Sequence, residues 1–138
     1  KRNIFQRLLG LPATKPPADP GCWKVEGDTV VIDLEGATEL TLGTHGMALE
    51  GEDLAVRLLV FRNEEGGYFA LENRCSHAGR RLDPLSGAHE VQCCSMGRTT
   101  YTHEGKRLEG SGEKDIRSFP ATVEDKKLII SLNGNPDE

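Results

Sequence analysis

The stretch from Asp53 to Phe61 limits the folds open to this chain more than any other. Leu54, Val56, Leu58 and Val60 alternate there with Ala55, Leu59 and Phe61. A strand that is apolar on both faces must be covered on both sides, so this one is expected at the centre of a sheet. Asn63-Glu64-Glu65-Gly66-Gly67 supplies a hairpin loop after it, and Tyr68–Glu72 forms the returning strand. Thr29–Leu34 alternates Val30, Ile32 and Leu34 with Thr29, Val31 and Asp33, and Glu39–Leu42 alternates again. Further short strands are expected at Glu90–Cys93, Thr99–His103, Lys106–Leu108, Ala121–Glu124 and Leu128–Leu132. Glu104-Gly105 and Asp125-Lys126 mark turns between them. Residues 73–87 are rich in turn formers and charge. No segment reads as a helix longer than about two turns. Many short strands joined by Gly-rich turns predict an all-β antiparallel sandwich or barrel.

The 138 residues suffice for one domain. Ile4, Phe5, Leu8 and Leu9 share one helical face in residues 3–10, and Gly10 stops the pattern. Pro12, Pro16, Pro17 and Pro20 then break regular structure. Residues 1–21 are therefore expected to be an N-terminal extension or tether, 22–133 the domain, and 134–138 a tail. Trp23 is placed to anchor the tether on the sheet. No apolar run approaches the ~20 residues of a membrane span. The stretch Ile4–Leu11 is interrupted by Gln6, Arg7 and Gly10, so it does not read as a signal peptide, and a cytoplasmic location is expected. A net charge of −5 argues against a nucleic-acid partner, and 5% aromatics against a large stacking platform.

The chemistry-bearing residues are Cys75-Ser76-His77 and, 15 residues later, Cys93-Cys94-Ser95-Met96-Gly97. Two loops presenting soft thiolates and a borderline imidazole can close over a metal from two sides. Mixed Cys and His at short spacing read better as metal binding than as a disulfide framework. Zinc or a single iron also suits Cys75, His77 and Cys93 on ligand softness. Two unrelated buried, inert cysteines remain a reading. Cys22 has no evident partner, and His45, in a Gly-flanked turn, reads as a surface residue.

With these residues in view, the chain resembles the Rieske family, whose motif is Cys-x-His, a spacer of about this length, then Cys-x-x-His. The resemblance spans about residues 25–132. It includes the hairpin Leu54–Phe61 to Tyr68–Arg74; Leu82, Leu85 and Gly87 in the first loop; and Gly97, Gly105, Lys106, Leu108 and Glu109 after the second. Phe119-Pro120, Val123, Leu128 and Ile130 match the closing strands. The family implies an all-β fold with a small cluster-binding subdomain formed by the two loops. It also implies a [2Fe–2S] cluster with one iron on two Cys and the other on two His. By position, Cys75 and Cys93 hold the inner iron and His77 the outer. Met96 stands where the family has its second His. A thioether is neutral and soft, so Met96 as fourth ligand predicts a potential at least as high as a two-His site and a single ligand ionisation. Cys94 as a third thiolate would lower the potential, and His89 or His103 are further candidates. Family members of high potential carry a Ser two residues after the missing His and a Tyr two further on. Arg98 and Thr100 occupy those positions here, and strand alternation would point Tyr101 to the other face. The paired loop cysteines of cytochrome bc-type members are absent, which resembles the ferredoxin and oxygenase branch.

Arg80 and Arg81 in the first loop and Arg98 in the second would form a basic spot on an acidic protein. That suits docking of an acidic redox partner, although loops often carry solvated charge. No Ser/His/Asp arrangement, Walker-type loop or dinucleotide fingerprint is present. The chain has no room for an active-site domain, so an electron-transfer protein is expected rather than an enzyme. It would be a ferredoxin or ferredoxin-like subunit, its partner an oxygenase, reductase or dehydrogenase. The alternative is a binding or structural module on the same scaffold whose metal site is degenerate or holds another metal.

Overall fold

A computed structural model describes residues 14–42, 46–76, 79–85, 87–93, 99–109 and 114–133. Their strands form three antiparallel sheets. The first contains β1 (Trp23–Glu26), β2 (Thr29–Asp33), β12 (Lys127–Ser131) and β11 (Ala121–Glu124), in that order across the sheet. The second runs β10 (Ser118–Phe119), β5 (Tyr68–Glu72), β4 (Leu58–Arg62), β3 (Gly46–Leu49). The third runs β6 (Leu82–Pro84), β7 (Glu90–Cys93), β8 (Thr100–Thr102), β9 (Arg107–Glu109).

Side-chain alternation on β4 explains how the layers are held. Leu58 and Val60 point into one core, shared with Val30 and Ile32 of β2 and Leu128 and Ile130 of β12. Leu59 and Phe61 point the other way, into a second core with Leu71, Leu82, Val91 and Tyr101. All four β4 residues are fully buried. The second sheet thus has an apolar core on each face, as its two-sided composition requires.

The strand is shorter at its start than its apolar pattern predicts. Leu54 N–H donates to Gly51 O at 3.1 Å, so the chain turns there, and β4 begins only at Leu58. Glu39–Leu42 is not extended but lies in a 3-10 turn, Thr38–Leu42. Its bonds are local, Leu40 N–H to Ala37 O at 3.0 Å, and Leu40 reaches the first core without a partner strand. Strands β3, β6 and β10 carry too little alternation to be read from sequence; β1 alternates but is only four residues long. The prolines of residues 14–20 keep the extension irregular, yet it is tied down along the domain. Thr14 N–H donates to Asp83 Oδ1 at 2.7 Å, Ala48 N–H to Lys15 O at 3.0 Å, and Ala18 N–H to Glu39 Oε2 at 2.7 Å. The Lys15 contact covers the β3 edge of the second sheet. Trp23 packs against the first core from β1, and Cys22 lies inside that core. Among the described residues no helix is long and apolar enough to cross a membrane. The residues expected to form the first helix, and His45, lie outside the described residues.

Candidate metal centre

The first loop leaves β5 through Asn73. Its backbone N–H donates to Arg57 O at 2.8 Å and its side-chain Oδ1 accepts from Leu82 N–H at 2.7 Å, pinning both ends of the loop. Inside it, Cys75 N–H donates to Arg80 O at 2.7 Å and Gly79 N–H to Cys75 O at 2.8 Å. Closing so tight a turn puts Gly79 at φ +69°, the left-handed region, with its α-carbon against the Arg74 guanidinium; a Cβ there would sit 3.2 Å from Arg74 Cζ. Arg57 Nη2 donates to Gly79 O at 2.6 Å from outside. The neck of the second loop is closed by Cys93 N–H to Thr99 O at 2.8 Å. Pairing of β6 with β7 sets Leu82 opposite Cys93 and so brings the end of the first loop against the start of the second. Cys75 and Cys93 are both 1% exposed and belong to the same apolar core. His77, Cys94, Met96 and Arg98 lie outside the described residues.

Alternation along β8 holds: β7 pairs with it in unbroken register, Val91 opposite Tyr101 and Gln92 opposite Thr100, so the two residues face opposite sides, and both are buried. The irregularity of the β8–β9 ladder is an extra residue on β9, Leu108. The side that Tyr101 faces is the one that meets the first loop. The Tyr101 hydroxyl accepts from Ser76 N–H at 2.9 Å, lies 2.8 Å from Ser76 Oγ, and donates to Cys75 Sγ at 3.5 Å. Ser76 Oγ in turn accepts from Lys114 N–H at 3.3 Å. One proton arrangement satisfies the set: Ser76 donates to the phenol twice, and the phenol donates its single hydrogen to the Cys75 sulfur. Burial pushes the Tyr101 phenol up to about 12; the Ser76 bonds act against this and the Cys75 bond with it. Tyr101 is therefore a hydrogen-bond donor at every physiological pH, and it strengthens as one when the sulfur becomes a thiolate. Thr100 Oγ1 instead accepts from Gln92 Nε2 at 3.3 Å.

His89 and His103 are set apart from the cysteines. They flank the opposite end of the β7–β8 hairpin, four residues of strand from Cys93, or about 13 Å at the usual rise. His103 Nδ1 lies 3.2 Å from His89 O, its ring 4.5 Å from that of Phe69, and His89 Nε2 is 3.3 Å from Glu64 Oε1. These contacts engage both rings at the end of the hairpin remote from Cys93. Arg81 is engaged by Glu50 through two bonds, Nε to Oε2 at 2.6 Å and Nη2 to Oε1 at 2.7 Å. That guanidinium holds the Glu50 carboxyl below the usual carboxylate range against a smaller opposing effect of burial. Arg80 is exposed beside it. Among the described residues, no group of three or more His, Cys, Asp and Glu side chains is arranged to hold a metal ion; Cys75 and Cys93 are a pair.

A profile of the Rieske [2Fe-2S] domain matches residues 26–120. The chain belongs to the Rieske [2Fe–2S] family. No curated relative matches the sequence. Among solved structures the Rieske chain is similar to the plasma membrane Rieske protein PetC3 of Synechocystis PCC 6803, at 15% identity. The match covers 62% of this chain and 85% of that one with a TM-score of 0.52. It is similar to the ferredoxin of carbazole 1,9a-dioxygenase from Nocardioides aromaticivorans IC177, at 15% identity over 64% of this chain and 86% of that one, TM-score 0.55. It is also similar to dicamba monooxygenase with non-heme iron and dicamba, at 23% identity over 70% of this chain but 31% of that one, TM-score 0.55. At these identities the likeness speaks for the fold, an all-β Rieske fold.

The cofactor of the Rieske domain is a [2Fe–2S] cluster, its chemistry is electron transfer, and the family match lends no support to a degenerate site. The described residues fit such a group. Two thiols are buried in one core, out of water, which suits soft thiolate ligation. A phenol donates to one of them, and Asn73 and Thr99, on the stems of the two loops, each bury a polar atom without a partner.

Proposed function

We propose that this Rieske domain is a one-electron carrier, a ferredoxin or the ferredoxin-like subunit of an oxidoreductase, and not itself a catalyst of substrate chemistry. The observation that carries this reading is the convergence of buried Cys75 and Cys93 in one core with the Tyr101 hydroxyl on the Cys75 sulfur. Cys75 and Cys93 would hold the inner iron, and His77 with Met96 the outer. When bound, the group accepts and returns one electron. The chain's own work is to exclude water from the thiolates, to fix the loops through Asn73 and Arg57, and to place a phenol proton on Cys75.

A hydrogen bond to a ligand sulfur stabilises the form carrying more negative charge, the reduced one. A neutral Met96 favours the same form. Both act to raise the potential. Arg80, Arg81 and Arg98 would give the partner a basic face beside the site, with Arg81 oriented by Glu50. The partner is an acidic surface of an oxygenase, reductase or dehydrogenase. Reversing Arg80 and Arg98 to Glu should slow electron transfer at low salt.

The test is an iron and acid-labile sulfide assay on anaerobically purified wild type beside Met96→His. About two of each per chain in the wild type are expected. Across pH, the wild type should show one ligand ionisation coupled to the potential and Met96→His two. Colourless, iron-free protein would contradict the carrier role, and two ligand ionisations in the wild type would remove Met96 as the fourth ligand.

A further inference from the structure

The first sheet turns one face to a core. Val30 and Ile32 of β2 and Leu128 and Ile130 of β12 point inward, so Thr29, Val31 and Asp33, with Lys127, Ile129 and Ser131, point out. The ladders set these outward residues in rows across the sheet. One row is Lys24, Val31, Ile129 and Thr122; a second is Asp33, Lys127 and Glu124; a third is Glu26, Thr29 and Ser131. A sheet face that meets water ordinarily carries polar residues. Here the centre of the face is a directly opposed apolar pair, Val31 and Ile129, which belongs to neither core and stays partly exposed. Charges ring the pair: Lys24, Glu26, Asp33, Lys127 and Glu124 are all exposed.

The arrangement is self-complementary. Consider a two-fold axis lying in the face, parallel to the strands and between β2 and β12. It sets each β2 residue over the β12 residue of the same row in a second copy. Val31 then meets the second copy's Ile129, Asp33 its Lys127 and Thr29 its Ser131, and every contact occurs twice, as an isologous interface requires. Lys24 falls over Thr122 and diagonally across from Glu124, again of opposite sign. An axis across the strands would instead stack Asp33 on Thr29 and Lys127 on Ser131, and would match no charges. We propose that the outer face of the first sheet is a homodimer interface, occupied by a second copy of this chain packed sheet on sheet with strands aligned. Four strands of about five residues span roughly 19 by 17 Å. A contact of that size is small, so the dimer is reversible, in the micromolar range. The second sheet stands between this face and the core of Cys75 and Cys93, so the dimer leaves the cysteine loops open to other partners.

Sedimentation velocity on the full chain, from about 10 µM to about 1 mM, reads the association. The wild type should pass from monomer to dimer over this range. Asp33→Lys makes the central charge pair all basic and Lys127→Asp makes it all acidic, so each variant alone should dimerise about tenfold more weakly, or worse. An equimolar mixture of the two should associate at least as well as the wild type, because each mismatched pair finds its complement only in the other chain. The mixture also separates a lost interface from a lost fold, since two misfolded chains would not restore the dimer. A wild type that stays monomeric at about 1 mM, single variants that dimerise like the wild type, or a mixture no stronger than its components would overturn the inference. So would a monomer whose thermal midpoint falls on Ile129→Glu, which would show the face covered from within the same chain. None of these outcomes touches the redox reading.

Discussion

At the level of single residues, the site depends on which hydrogen-bond donors reach the sulfurs. Tyr101 does so from the face of β8 opposite Thr100, and its phenol stays protonated because burial holds it at about 12. Tyr101→Phe should load iron normally and lower the potential by tens of millivolts; a redox titration of the variant checks this. The same change leaves Ser76 N–H without its acceptor, so a stability loss on the order of 1–3 kcal/mol is expected from denaturant unfolding. Cys22 behaves differently from the loop cysteines. Burial first, then the negative charges of Asp19 and Glu39, push its thiol above the ordinary thiol range. Its contribution to stability is therefore full below the unfolded value and is lost as pH rises beyond it. In native protein at neutral pH, Cys22 should resist alkylation by iodoacetamide, and mass spectrometry reads the result. The Cys and His spacing made the cysteine pair legible in the sequence. The role of Tyr101 was not, because alternation tells which residues of β8 share a face but not which face meets the first loop.

Among the elements, β4 packs into both cores. Phe61 lies fully inside the core that also holds Cys75 and Cys93. Phe61→Ala should destabilise by about 3–5 kcal/mol and loosen the loops, seen as a lower thermal midpoint and faster iron loss. Gly105 is similarly constrained: at φ +90° it accepts Ile116 N–H at 2.9 Å, and a Cβ there would collide with the Ile116 carbonyl. The link between the first loop and the segment after β3 is the Arg81–Glu50 pair. Because the Glu50 carboxyl is held low, its stabilising effect is present above the ordinary carboxylate value near 4.5 and is lost as pH falls through the lowered one. An exposed pair of this kind contributes about 1 kcal/mol at most. Glu50→Gln should therefore flatten, slightly, the fall of thermal midpoint with acid below pH 4.5 relative to wild type. The two-faced run ending at Phe61, its hairpin and β7 could be read directly from residue order. The edge strand Gly46–Leu49 could not, because Met47, Ala48 and Leu49 are all buried and show no alternation.

Among the described residues, three sheets enclose two cores, and the second core is the one that holds Cys75 and Cys93. The first core makes the domain stable; the second makes it a holder of a redox group. That division was half visible in the sequence. A strand apolar on both faces announces two cores, but nothing in residue order says which face meets which loop. The proposed ligand roles of His77 and Met96 rest on the resemblance to the family's motif, and their test is the single ligand ionisation expected of the loaded protein. The central claim is that the buried pair Cys75 and Cys93 serves one-electron chemistry, and its most direct test is the Nernst slope of the anaerobically loaded protein. A reversible one-electron transition, about 59 mV per tenfold change in the ratio of oxidised to reduced protein, is predicted. A two-electron slope of about 30 mV would mean that the cysteines cycle between dithiol and disulfide, and would contradict the account.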